Sequence, residues 1–242
     1  MGDKLQGGVT SGDVWADFWS ADHPIYVNAR HAAVHYDRIA ADLAGLLKDK
    51  SKPTVVDWGC GDAYGAPVLA KSCGGLLLFD AVGAVQRRIA ARFAGAAGIR
   101  VLDDQAWRLL HDGSVDVIIM NSVAQYLSQG EFEAVLDDFR VRLRKDGVIY
   151  LADIIPPDAG MLPDVVSLLA TGARHGFFLA ACSGLARTWF SRYRQIRNQA
   201  GFSTYSEKAI DALARKHGLS ALRLPANVGF NQQRMTFRLR PA

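Results

Sequence analysis

The chain has 242 residues, 50% of them apolar and 21% charged. That length suits one large domain, and that composition excludes a disordered polyelectrolyte. The net charge of +4 hides an asymmetry: from Thr171 onward there are 12 Lys/Arg against Glu207 and Asp211 alone, a net of +10, so the first 170 residues carry −6.

A basic C-terminal part either meets an anionic partner or is a solvated face. Cys60, Cys73 and Cys182 show no metal-like or disulfide-framework spacing, which points to a reducing, cytoplasmic setting. The start has no charged-then-apolar signal pattern, and no run approaches the roughly 18 apolar residues of a spanning helix.

Residues 1–20 are rich in Gly, Asp and Trp with weak periodicity. From Asn28 to Leu47, Val34, Ile39, Leu43, Leu46 and Leu47 recur at helical spacing, and Pro53 ends the segment. Thr54–Asp57 reads as a short buried strand, followed by a glycine turn and a helix over 66–71. Leu76–Asp80 is a second strand, 85–93 a helix, Ile99–Leu102 a third strand and Val115–Met120 a fourth. A helix over Glu131–Leu143 ends at the turn Lys145-Asp146-Gly147, and Val148–Ala152 is a fifth strand. This alternation predicts an α/β fold, a parallel sheet with helices on both faces.

After Asp153 the rhythm breaks. Pro156, Pro157 and Pro163 open a region with two helix-like stretches, 165–179 and 184–198. The core pattern resumes with a helix from Ser206 to His217, then strands over 221–224 and 235–239. The expected organisation is an N-terminal helical cap (1–49), a nucleotide-binding core (50–155), a helical lid insertion (156–205), and a C-terminal helix and β-hairpin (206–242).

The turn Asp57-Trp58-Gly59-Cys60-Gly61-Asp62-Ala63-Tyr64-Gly65 leaves a strand and enters a helix. Such a turn presents backbone N–H groups at the positive helix end, and Gly59, Gly61 and Gly65 let a ligand approach closely. Asp80 closes the second strand 19 residues after Gly61, where an acid can accept from ribose hydroxyls. A dinucleotide fingerprint has two residues between its second and third glycines; here there are three, Asp62, Ala63 and Tyr64. Asp57 is also foreign to that fingerprint. It either faces a cationic amino group or caps the strand end.

These residues resemble the class I S-adenosylmethionine (AdoMet)-dependent methyltransferases. Val55–Gly61 is similar to the family's first motif and Asp80 to its ribose-binding acid. Val115–Ile119 is similar to the fourth strand, and Arg144–Val148 to the turn before the fifth. Asn121–Leu127 resembles a segment of the N-methyltransferase domains of peptide synthetases. The resemblance implies a Rossmann-like seven-stranded sheet with the last strand antiparallel. It implies AdoMet as methyl donor, S-adenosylhomocysteine as product and no metal. It implies a cofactor site of Asp57, Gly59, Cys60, Gly61, Asp80 with Ala81, an adenine contact at Asp103 or at Asp104 with Gln105, and Asn121 with Ser122 near the sulfonium. Tyr26 would cover the cofactor from the N-terminal segment.

Ligands of parallel sheets bind beyond the carboxyl ends of strands. That places Gln125 and Tyr126, Asp153, and the Asn227–Asn231 turn on the acceptor side. Asn227 and Asn231 either orient the acceptor or serve turn geometry. His31 and His35 share one helical face. They pack against the sheet domain, supply a general base, or bind a metal for which no third ligand is evident. His35, His31 and Asp153 are the candidate bases.

The insertion mixes Arg174, Arg187, Arg192, Arg194 and Arg197 with Phe177, Trp189, Phe190 and Tyr193, with no acid from Val165 to Ser206. It reads as an apolar lid with an Arg-rich outer side, a phosphate or carboxylate clamp, or a peripheral contact with an anionic membrane. Methyl transfer to O or N of a small, amphipathic or anionic molecule leads these expectations. An RNA methyltransferase, without a recognisable RNA-binding module, and a non-catalytic AdoMet-binding protein are the alternatives.

Overall fold

Short apolar runs separated by amphipathic helices must bury both faces of whatever sheet they form. In the computed structural model, which describes residues 28–159, 169, 171–174, 176 and 202–242, they build one seven-stranded sheet. Its strands are β1 (Thr54–Trp58), β2 (Gly75–Phe79), β3 (Ile99–Leu102), β4 (Val115–Asn121), β5 (Leu143–Ile154), β6 (Leu219–Arg223) and β7 (Met235–Pro241), in the order β3-β2-β1-β4-β5-β7-β6. The pairs among β1 to β5 are parallel, whereas β7 runs antiparallel to both β5 and β6. The helices are α1 (Ala29–Leu46), α2 (Ala66–Ala70), α3 (Gly83–Arg92), α4 (Asp104–Arg108), α5 (Gln129–Arg142) and α6 (Glu207–Lys216), with a 3-10 turn over Ala124–Tyr126.

The period of two along each strand sends alternate residues into two cores. One face packs Val56, Ile118 and Met120 against Phe132, Leu136 and Phe139 of α5 and Ile210 and Leu213 of α6. The other packs Val55, Val117 and Ile119 against Leu43 of α1, Leu69 of α2 and Val85 and Ile89 of α3. Capping side chains set several helix starts. Asn28 accepts from His31 N at 2.8 Å, Ser128 and Glu131 form a capping box, and Ser206 caps α6.

Helix α1, expected as a cap, belongs to this second core as well. Leu43 is buried, and three contacts pin the helix across the strand ends. A Cβ on Gly65 would lie 2.9 Å from that of Ala40; Gly229 N donates to Asp42 Oδ2 at 2.9 Å; Tyr150 Oη donates to Leu46 O at 3.1 Å.

One element departs from expectation. Helix α5 stops at Arg142, and Lys145-Asp146-Gly147 is no free turn but a bulge inside a 12-residue β5. The register jumps from Val115↔Leu143 to Val117↔Val148. Leu143 is drawn into the core and paired with β4, and Gly147 lacks the Cβ that would sit 2.6 Å from its side chain.

The two ends of the insertion meet just past the C-terminal end of β5. Tyr205 N donates to Ile155 O at 2.9 Å, and Ser203 N to Gln125 O at 3.0 Å. Tyr26, the stretch 177–198 with Arg187, Trp189, Phe190, Arg192, Tyr193, Arg194 and Arg197, and most of 165–176 lie outside the described residues.

Candidate functional site

The glycine turn is tied to β2 rather than left open. Gly59 N and Cys60 N both donate to Phe79 O, at 2.8 and 3.1 Å, and Gly61 N donates to Asp80 Oδ2 at 2.9 Å. These three donors are taken by protein acceptors rather than presented to the cleft. Gly59 and Gly61 need their glycines for positive φ, +73° and +55°. A Cβ on Gly59 would strike Val123 Cγ2 at 2.5 Å, whereas around Gly61 there is open space. Gly65 has an ordinary backbone and leaves room for the close approach of α1 at Ala40.

Between this turn and α1 lies a small cleft of about 60 Å³, open to solvent, lined among others by Tyr36, Leu43, Asp57, Gly59, Cys60 and Asn121. Carboxylates, not N–H groups, define its charge. The carboxyl of Asp57, next to last in β1, accepts no hydrogen bond from any described residue, and burial, with the Asp80 charge adding, pushes it up to about 7. Asp80 is also raised by burial, against the pull of the N–H groups of Val82 and Gly61 and the charge of Arg88. Each Asp80 oxygen keeps a lone pair beyond the backbone bond it accepts. Two enclosed acids with unspent acceptor capacity favour a ligand that is cationic and carries hydroxyls. Asn121, at the end of β4, adds a buried Oδ1 that has no hydrogen-bond partner.

Asp103 and Asp104 differ in their hydrogen bonds. Asp103 is spent as the N-cap of α4, its Oδ1 accepting from Ala106 N at 2.7 Å. Asp104 sits beyond it and accepts from Gln86 Nε2 at 3.0 Å, while the same nitrogen donates to Asp80 O at 2.7 Å. Gln86 thereby stitches the ends of β2 and β3 together. Nothing in the sequence marked it, because its two partners lie 6 and 18 residues away. Ala81 follows Asp80, and Gln105 follows Asp104 in the first turn of α4.

At the ends of β4 and β5, Ser122 (φ +59°) and Asp153 (φ +60°) both hold the left-handed conformation that non-glycine residues avoid. Ser122 Oγ donates to Asp153 Oδ2 at 2.8 Å, and Arg234 Nη1 lies 3.5 Å from the same oxygen. The Asn227 amide is fully occupied in holding this corner. Its Oδ1 accepts from Asp153 N and Thr236 Oγ1, and its Nδ2 donates to Asp153 Oδ1, Val228 O and Asn231 O. Asn231 Oδ1 accepts from Gln233 N at 3.0 Å. Gln125 is buried and donates to Ser122 O at 2.8 Å, leaving its buried Oε1 without a partner; Tyr126 packs edge-on against Phe202. Arg234 carries no sequence signal, since only the antiparallel return of β7 brings it to Asp153.

His31 and His35 lie side by side on α1, ring centroids 6.2 Å apart, with His35 edge-on to Tyr36. Burial lowers both, His35 to about 4 with the His31 charge adding. Among the described residues no three His, Cys, Asp or Glu converge as a metal-binding group, and no helix is long and apolar enough to cross a membrane.

A parallel sheet closed by an antiparallel hairpin, with Asp57 lining a cleft under the N-terminal helix and Asp80 just past the end of the next strand, is the Rossmann-like architecture of AdoMet-dependent transferases. Residues 29–224 match a family model described as a methyltransferase domain. No curated protein matches the chain. Solved structures share the fold at low identity. The complex of DhpI with S-adenosylhomocysteine has a TM-score of 0.60 at 13% identity, covering 96% of this chain and 97% of that one. Magnesium protoporphyrin IX methyltransferase from Synechocystis, with bound S-adenosylhomocysteine, has 0.54 at 15%, covering 95% and 93%. A SAM-dependent methyltransferase from Aquifex aeolicus has 0.52 at 18%, covering 84% and 90%. The chain belongs to the methyltransferase domain family and is a class I AdoMet-dependent methyltransferase.

Proposed function

We propose that this enzyme methylates an O–H or N–H group of a small, amphipathic or anionic molecule. The observation that carries the proposal is the polar corner at the ends of β4 and β5. A hydroxyl, Ser122, is hydrogen-bonded at 2.8 Å to the carboxylate of Asp153, and Arg234 stands beside that carboxylate. The corner adjoins Asn121, which lines the cleft.

In the cofactor half of the proposal, Asp57 takes the amino group, Asp80 the ribose hydroxyls and Asp104 the adenine side. Bound AdoMet supplies a methyl group already activated on a sulfonium. The protein's own tasks are then to align the acceptor and to receive a proton. Ser122 Oγ spends its hydrogen on Asp153, so toward an acceptor it offers lone pairs. An attacking O–H or N–H can donate to that oxygen and pass its proton on to Asp153. His35 suits this task less, because a ring held near 4 binds a proton weakly at neutral pH. The basic C-terminal part, with Arg234 at the corner, favours an acceptor that carries negative charge. The Arg-rich insertion adds, in the same reading, a peripheral contact with an anionic membrane.

The test is transfer of labelled methyl from AdoMet by the full chain into metabolite, lipid and RNA fractions of a cell extract. Label is expected in the metabolite fraction. Label confined to RNA overturns the small-molecule acceptor. Retention of AdoMet with no transfer to any fraction supports a non-catalytic binder.

A further inference from the structure

One side-chain amide joins the ends of β2 and β3. Gln86 is the fourth residue of α3, and its Nε2 donates to the carbonyl of Asp80 at 2.7 Å and to Asp104 Oδ1 at 3.0 Å. The first partner is the backbone of the acid just past β2; the second is the side chain of the acid that opens α4. An amide nitrogen carries two hydrogens, and these two bonds use both, so Gln86 Nε2 has none left to donate to a ligand.

The main chain at either end of this bridge has supports of its own. Strands β2 and β3 pair in register from Leu76↔Ile99 to Phe79↔Leu102. The Asp80 carboxylate accepts from Gly61 N at 2.9 Å and Val82 N at 3.0 Å, which fixes that turn. Helix α4 is capped by Asp103, and buried Arg142 closes its other end, Nε donating to Trp107 O at 3.1 Å. Trp107 itself is held by Asp138 Oδ2, which accepts from its Nε1 at 2.7 Å, and by stacking on Phe79. What Gln86 alone supplies is the direction of the Asp104 side chain. Asp104 is exposed, and no other described residue hydrogen-bonds its carboxylate. Without Gln86 that side chain spreads over its staggered rotamers.

We propose that Gln86 is a positioning residue that sets the base specificity of the cofactor site: it aims Asp104 at the adenine, and it does so from the backbone of the acid that serves the ribose. The inference rests on the reading of Asp80 and Asp104 given above. In a nucleoside the ribose hydroxyls and the base lie at a fixed separation. One donor shared between the two acids builds that separation into the protein. With Oδ1 held by Gln86, Oδ2 of Asp104 is left to accept from an amino group. Adenine carries an exocyclic amino group; hypoxanthine carries a carbonyl oxygen in its place, which meets a fixed carboxylate as acceptor against acceptor. A carboxylate no longer held turns away from that oxygen. Fixing Asp104 therefore favours adenine and penalises hypoxanthine at once.

The experiment is calorimetric titration of the full chain with S-adenosylhomocysteine and with S-inosylhomocysteine, its hypoxanthine counterpart. The proteins are wild type, Gln86→Met, Gln86→Glu, Asp104→Ala and Gln86→Met/Asp104→Ala. Wild type is expected to prefer the adenine compound. Gln86→Met keeps the length and helix propensity of the side chain and lacks the donor. It should weaken S-adenosylhomocysteine binding and lower the preference for adenine at least about threefold, a modest share of what a hydrogen bond to a charged group contributes, since Asp104 is exposed. Gln86→Glu sets an acceptor against both partners; it should lower the preference at least as far, and it decides the matter if Gln86→Met folds poorly. In the Asp104→Ala background, Gln86→Met should leave the preference unchanged, because its effect passes through that carboxylate. A Gln86 that merely braced the fold would weaken both compounds equally. Equal losses for the two compounds, or the same change in preference with and without the Asp104 carboxylate, overturn the role of Gln86. Failure of wild type to bind either compound would instead overturn the cofactor site, and equal wild-type affinity for the two would overturn the assignment of Asp104 to adenine.

Discussion

Asp57 makes the sharpest prediction, because its two roles oppose each other. Its carboxyl is held up to about 7 by burial and by Asp80, and only its ionised form pairs with an amino group. Affinity for S-adenosylhomocysteine should therefore follow the ionised fraction: about half of the high-pH value at pH 7, and about a tenth at pH 6, at tenfold per unit below the pKa. Stability runs the other way. The folded carboxyl titrates above its unfolded value, so between roughly pH 4 and 7 the folded state holds the extra proton, and unliganded stability falls as pH rises through that window. Asp57→Asn removes both effects. It should flatten the binding profile in that range, weaken binding at pH 8 at least about tenfold as a buried charge pair is lost, and raise the melting temperature of the unliganded protein at pH 8. Calorimetry across pH and parallel thermal melts measure both. An Asp57→Asn protein that binds as well as wild type at pH 8, or that retains the same pH dependence, would refute the placement of the amino group at Asp57.

The two glycines of the turn should fail differently. Gly59→Ala meets both a φ of +73° and a contact of 2.5 Å with Val123, so it should destabilise the fold by about 2–3 kcal/mol in thermal or urea melts. Gly61→Ala has open space around it and a φ of +55°, so it should cost only about 1 kcal/mol while its methyl group intrudes on ligand space and weakens S-adenosylhomocysteine binding. Ser122→Gly relieves a left-handed serine and should leave the melting temperature unchanged or higher, while methyl transfer to the acceptor found in the labelled assay drops at least about tenfold. Phe139→Ala, at a site with no exposure beneath Trp58 and Trp107, should cost about 3–5 kcal/mol in urea unfolding.

Sequence periodicity was sufficient for the sheet. The strands around β1 are continuous apolar runs because both their faces are covered, and that pattern is local. Asp57 and Asp80 were legible as candidates on the same local ground, since both stand at strand ends and Asp57 adjoins the glycine turn. Asp103 and Asp104 were not told apart, since they are adjacent acids, and only the tertiary structure shows that the first caps α4.

What the chain alone could not decide depends on contacts between distant segments. The Lys145-Asp146-Gly147 sequence has the composition of a turn, but pairing of Leu143 with Val115 pulls it into β5 as a bulge. Asn227 looked like a turn residue or an acceptor ligand, and the fold spends its whole amide on Asp153, 74 residues earlier, and on its own loop. Gln86 had the look of any helical surface glutamine, and Arg234 of any loop arginine. Each acquired its distant partner only when the sheet order brought β3 beside β2 and β7 beside β5. Hydrophobic alternation is written residue by residue and survives without tertiary context. Charge compensation and polar positioning are properties of pairs, and their partners here meet only after the sheet has closed.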